Sequence, residues 1–191
     1  MTSMTDLPPR AEVVIVGAGP TGLALAVTLA AAGVEHVLLD RQAEGANTSR
    51  AAVVHARTLE VLDELGVAEE LIGHGVKVSR FGLRDGSRKL LTLPFDDLPT
   101  PYPYALMVPQ YVTESVLLAR LRELGGDVHR PYEVTSVVQD ENGVKLATNT
   151  GDTVHAAYVV GADGCTAPSA RRRASVSPAA PTPSRSSSPT C

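Results

Sequence analysis

The sequence predicts an α/β fold built around a parallel sheet, and three local observations carry that prediction. Glu12-Val-Val-Ile-Val-Gly17 is a short, β-rich apolar run ending in glycine, as suits a strand buried on both faces. An Ala/Leu-rich stretch up to Ala32 follows and is stopped by Gly33, which reads as a helix and its C-terminal glycine. Val34-Glu-His-Val-Leu-Leu-Asp40 is a second strand ending in an acid. Strand, helix and strand together form a βαβ unit of the usual size. The helix is apolar on nearly every side, so it is expected to be buried.

The rest of the chain divides by its punctuation. Arg41 to Ala52 reads as loop, and Arg57 to Leu65 as a helix ended by Gly66. Val76 to Leu83 and Arg88 to Leu93 flank Asp85-Gly86, a hairpin signal. Pro94 to Pro103 holds four prolines and is an extended loop, with a strand expected over Tyr104 to Val108. Val112 to Leu124 has apolar residues at helical spacing and ends at Gly125-Gly126. Asp127 to Arg130 is a short strand. Glu133 to Asp140 and Val144 to Thr148 form a hairpin around Asn142-Gly143, and Val154 to Val160 is the last strand. These last three strands make a β-meander.

Composition narrows the function classes. Of the 191 residues, 43% are hydrophobic and 20% charged, with a formal net charge of −4. That charge gives no global attraction for nucleic acid, and 4% aromatics without Trp argue against a base-stacking surface. The longest apolar stretch, Leu23 to Ala32, is far short of the roughly 18 residues a membrane span needs. Two cysteines, Cys165 and Cys191, suit a reducing compartment, so a cytoplasmic protein is expected. The five histidines have no metal-ligand spacing.

Charge is unevenly spread. Residues 165–191 contain no Asp or Glu, seven Ser, five Pro and four Arg. The first 164 residues carry −8 and the remainder +4. A segment this poor in apolar side chains cannot offset its ordering entropy. Residues 1–164 are therefore the expected folded domain, and 165–191 an expected disordered, low-complexity tail.

One motif carries chemistry. Gly17-Ala-Gly19-Pro20-Thr21-Gly22 follows the first strand and opens the helix, and Asp40 ends the second strand 18 residues beyond Gly22. This is the fingerprint of a Rossmann-like dinucleotide-binding fold. Gly17 allows the tight turn, Gly19 lets a pyrophosphate approach the backbone, and Gly22 lets helix and strand pack closely. The helix N-terminus offers unpaired N–H groups to phosphates. The Asp40 carboxylate can accept a hydrogen bond from a ribose hydroxyl.

Four features in sequence order make the choice of dinucleotide. They are Val14-Ile-Val-Gly-Ala-Gly-Pro-Thr-Gly-Leu; Leu38-Leu-Asp-Arg41; Ser49-Arg-Ala with Arg57-Thr-Leu-Glu60, Leu65-Gly66, Val108-Pro-Gln110 and Thr113-Glu114; and Tyr158-Val-Val-Gly-Ala-Asp-Gly164. Over about residues 11–164 the chain resembles the N-terminal part of flavoprotein monooxygenases of the p-hydroxybenzoate hydroxylase type, in the bacterial aromatic and polyketide hydroxylase group. The resemblance implies a Rossmann-like FAD-binding fold, with residues 76–108 belonging to an incomplete substrate-domain sheet. It implies that Gly17, Gly19, Pro20, Thr21 and Gly22 surround the FAD pyrophosphate, and that Asp40, where the family more often has Glu, holds the adenosine ribose. It places Arg41 beside the adenine or its ribose, Arg50 near the flavin side, and Gln110 at the ribityl or phosphate part. Val134 is expected to meet adenine through its backbone. Asp163 falls in an Asp-Gly motif associated with both FAD and the nicotinamide donor.

The implied reaction is aromatic hydroxylation with FAD as cofactor and NADH or NADPH as electron donor, on a small aromatic or polyketide-like substrate. The cofactor carries the hard chemistry, so no catalytic side chain is nominated. Family members run about twice this length and continue after Asp-Gly with an Arg-Ser pair. Here Cys165-Thr-Ala-Pro-Ser169 follows instead. The expectation is a reading-frame shift near Gly164 and a truncated enzyme. The alternative is a non-catalytic nucleotide-binding fragment, and a second rival is a plain NAD-dependent dehydrogenase.

Overall fold

A computed structural model describes residues 7–44 and 51–164. The expected tail, 165–191, lies outside the described residues. The elements are β1 (Arg10–Val16), α1 (Pro20–Ala31), β2 (His36–Leu39), β3 (Ala51–Val54), α2 (Ala56–Glu64), α3 (Ala68–Gly73), β4 (Val76–Val78), β5 (Arg80–Asp85), β6 (Arg88–Pro94), β7 (Ala105–Pro109), α4 (Gln110–Glu123), β8 (Val128–His129), β9 (Val134–Asp140), β10 (Gly143–Thr148) and β11 (Thr153–Gly161).

Six strands form the main sheet in the order β8-β2-β1-β11-β10-β9. The first four run parallel, and β11, β10 and β9 are the antiparallel meander. The period-2 geometry of β1 splits its run of valines and isoleucine between the two faces. Val13 and Ile15 join Leu38, Leu23, Ala26, Val27 and Leu117 on the helical face. Val14 and Val16 join Val37, Leu39, Tyr132, Leu146 and Val154 on the other. Both faces of the strand are thus covered, as its uninterrupted apolar character requires.

Three elements depart from the expected layout. The segment expected to be loop up to Ala52 enters β3 at Ala51, which pairs antiparallel with β7. That pairing partner lies more than fifty residues away, beyond any local signal. The run Val76 to Leu83 divides at Ser79: β4 pairs with β7, whereas β5 pairs with β6 in a separate ribbon. Helix α3 lies between the helix expected to end at Gly66 and the strand expected from Val76; it buries Ala68 and Leu71 in the helical-face core. Helix α1 is covered on one face only. Gly22, Leu23, Ala26 and Val27 are buried, while Thr21, Thr28 and Ala31 are exposed.

The β5–β6 ribbon has the reverse character. Phe81 opposes Leu93 and Leu83 opposes Leu91, which puts four large apolar side chains on one face. All four are about half exposed. The proline-rich connection before β7 is held to α2 by Glu60, whose carboxylate accepts from the Thr100 hydroxyl at 2.7 Å and from Arg57 at 2.7 Å.

Candidate functional site

β1 has β2 on one side and β11 on the other. The chain passes from β1 to one neighbour and returns much later beside the other, so the carboxyl ends of these strands form a topological switch point. In open α/β sheets that is where ligands bind. An open cleft of about 270 Å3 lies there, its walls drawn from the glycine loop, the ends of β2 and β11, the start of α4 and residues 132–134.

The glycine loop is sewn into both neighbouring strands. The Gly17 N–H donates to the Leu39 carbonyl at 2.7 Å, and the Ala162 N–H donates to the Val16 carbonyl at 2.7 Å. Gly17 has φ +105°, and a Cβ there would stand 2.7 Å from backbone atoms of Ala162 and Asp163. Only glycine meets both conditions. A Cβ on Gly22 would fall inside the shell of the Gly17 carbonyl oxygen. Gly19 differs: a Cβ there would meet nothing within 4 Å. It is the N-cap of α1 and supplies no side-chain cap, and Pro20 follows at the first helical position. Proline has no N–H, so the orphan donors of this helix start are the Thr21 and Gly22 backbone groups.

Asp40 does more than end β2. Its Oδ2 accepts from the Ala18 N–H at 2.9 Å, and its Oδ1 from the Gln42 N–H at 2.8 Å. The Arg130 guanidinium lies 3.7 Å from Oδ2, with both side chains largely buried. The carboxylate therefore clamps the glycine loop to the end of β2. Its oxygens have about four acceptor sites between them, which leaves capacity for a ligand hydroxyl. Asp40→Ala is expected to cost about 2–3 kcal/mol, because two charge-assisted bonds are lost and Arg130 is left without its partner. Urea unfolding measures this, and an unchanged midpoint would show that the clamp carries no stability.

Of the residues singled out from sequence, Gly17, Gly19, Pro20, Asp40, Arg41, Gln110, Val134 and Asp163 line the cleft. Thr21 and Gly22 are not among the lining residues; they open α1 directly after Pro20, next to the lining residues Gly19 and Pro20. The Val134 side chain is buried in the second core. Arg50 lies outside the described residues. Sequence reasoning missed Arg130. Its signal was register: Leu38 pairs with Val128 and Leu39 with His129, so the next pair along is Asp40 with Arg130. Tyr132 and Glu133 also line the cleft and carried no sequence signal. Among the described residues no cluster of His, Cys, Asp and Glu could hold a metal ion, and no helix is long and apolar enough to cross a membrane.

His129 borders this region, and its carbonyl accepts from the Asp40 N–H at 3.0 Å. Burial holds its imidazole below the usual range, with Asp127 opposing it as the smaller cause. The folded state thus favours the neutral ring. The stability this brings is present above the unfolded value of about 6.5 and is lost as pH falls through the depressed folded value. His129→Gln is expected to shrink the loss of urea stability between pH 7 and pH 5. Equal losses in the two proteins would remove His129 from the acid response.

Residues 10–185 match the family model described as FAD binding domain. An anhydrotetracycline monooxygenase of Streptomyces rimosus is 42% identical over 160 residues, which cover 81% of this chain and 31% of that protein. A rifampicin monooxygenase of Rhodococcus hoagii is 35% identical over 153 residues, covering 80% of this chain and 31% of that protein. Among solved structures, p-nitrophenol 4-monooxygenase of Pseudomonas putida DLL-E4 aligns with a TM-score of 0.80 at 28% identity, over 85% of this chain and 43% of that one. The chain spans about a third of the length of the curated relatives it matches.

Proposed function

The chain belongs to the FAD binding domain family, and from that premise we propose that its cleft holds FAD for the NADH- or NADPH-dependent hydroxylation of an aromatic or polyketide-like substrate. The observation that carries the reading is the open space over Gly19 at an uncapped helix start, in a cleft at the switch point of the sheet. A dinucleotide pyrophosphate needs that combination: close backbone approach, orphan N–H donors and the positive end of a helix dipole. The acceptor-rich end of β2 supports it from the sugar side.

The residues take the following parts. Gly17, Gly19 and Pro20 shape the backbone against the pyrophosphate, and the Thr21 and Gly22 N–H groups donate to it. Asp40 accepts from the adenosine ribose while holding the loop. Arg41 lies beside the adenosine, and the Val134 backbone faces the adenine. Gln110 meets the ribityl or phosphate part. Asp163, at the end of β11, serves both FAD and the nicotinamide donor. Arg50 takes the flavin side. FAD, when bound, supplies the redox chemistry with dioxygen; the protein binds, orients and excludes water. Residues 76–108 form part of a substrate-domain sheet in this reading, which the separate ribbon and its open apolar face support. The low cysteine count suits a cytoplasmic setting.

Calorimetric titration of the 191-residue chain with FAD, ADP and NAD tests the proposal. The cleft is lined mainly by the glycine loop, the end of β2 and residues 132–134, the groups proposed for pyrophosphate and adenosine, so most contacts fall there. ADP is expected to bind within about tenfold of FAD, the worth of one further hydrogen bond. A chain that takes ADP but no FAD would instead be a nucleotide-binding fragment. One that prefers NAD would be a dehydrogenase.

A further inference from the structure

Gln110 and Glu114 face each other one turn apart at the start of α4, and both line the cleft. The Gln110 Nε2 donates to the Glu114 Oε1 at 2.8 Å. Glu114 is buried, at 9% exposure, and so is one of few buried polar side chains among the described residues. An ionised carboxylate only accepts, so it forces the nitrogen end of the Gln110 amide toward itself. The amide oxygen is then the end turned away. Without Glu114 the same amide could rotate and offer its two N–H groups outward, as a phosphate would require.

We propose that Glu114 is a positioning residue that fixes the Gln110 amide with its oxygen toward the ligand, so that Gln110 selects a hydroxyl-bearing sugar chain rather than a phosphate. The buried negative charge of Glu114 works in the same direction, since it disfavours a phosphate at this end of the cleft. The phosphates are left to the helix start at Gly19, on another wall. The inference rests on the FAD reading and deepens it: the part of the ligand at α4 is the ribityl chain, which FAD has and ADP lacks.

The test titrates the full chain with FAD and with ADP in five forms: unchanged, Glu114→Ala, Glu114→Gln, Gln110→Ala and the double variant Gln110→Ala/Glu114→Ala. Glu114→Ala is expected to weaken FAD roughly 3-fold to 10-fold while ADP moves less than twofold. Glu114→Gln is expected to retain FAD affinity, because its own carboxamide oxygen can accept from Gln110. Adding Glu114→Ala to Gln110→Ala is expected to cost nothing further. If Glu114→Ala fails to fold, Gln110→Ala and Glu114→Gln decide: the first must lose the margin of FAD over ADP and the second must keep it. Equal loss of both ligands would make Glu114 merely structural, and tighter FAD binding by Glu114→Ala would make its charge a penalty; either overturns the inference while the FAD reading stands. A chain that binds neither ligand unchanged would overturn that reading and this inference together.

Discussion

Gly22→Ala is expected to lower the melting temperature by roughly 6–12 °C, the equivalent of about 3 kcal/mol for a chain of this size. The added Cβ would fall inside the shell of the Gly17 carbonyl oxygen, which is backbone and cannot swing aside. The next nearest atoms are the Gly17 carbonyl carbon at 3.1 Å and the Ala162 side chain at 3.3 Å. To relieve the contact, α1 must move away from the β1 turn. That movement opens the core formed by Leu23, Ala26 and Val27 against Ile15 and Leu38. The effect lives in packing, so it should appear with no ligand present. A scanning calorimetry trace unchanged from the parent would mean that helix and turn are looser than this geometry.

The parts of this architecture that were readable from sequence are those whose causes are local. The βαβ unit announces itself because its strand, turn and helix each depend on neighbours within a few residues, and Gly17 and Gly33 do take positive φ. The meander was readable for the same reason: Asn142-Gly143 joins strands that pair with each other. β3 was not, because Ala51-Ala-Val-Val54 becomes a strand only by pairing with Ala105–Pro109, and that closure is a tertiary event. The division of residues 76–85 between two sheets is likewise decided by partners, not by propensity. In the site, the glycines and Asp40 could be placed because a fingerprint fixes their spacing. The clamp made by Asp40 on the Ala18 N–H could not, since a ribose and a backbone amide call for the same carboxylate at the same strand end. Arg130 and the partnership of Glu114 with Gln110 needed register and helix placement before their charges could be paired.

Gly19→Val is expected to give the opposite pattern from Gly22→Ala: a folded protein that has lost its ligand. Apart from the two neighbouring residues in the chain, no atom lies within 4 Å of the position a Cβ would take. The backbone there, φ −74° and ψ −178°, is extended and open to any residue. A branched side chain therefore fits the free protein, and thermal stability should stay within about 1 kcal/mol of the parent. The same side chain fills the space over the helix start, where the proposed pyrophosphate must approach the Thr21 and Gly22 N–H groups. Displacing it forfeits charge-assisted hydrogen bonds of about 1.5–3 kcal/mol each. Two such bonds correspond to a loss of at least 100-fold in affinity for both FAD and ADP. Calorimetric titration beside a melting curve separates the two outcomes. Full binding by a well-folded Gly19→Val chain would move the phosphate site away from this loop, and with it the dinucleotide reading of the cleft.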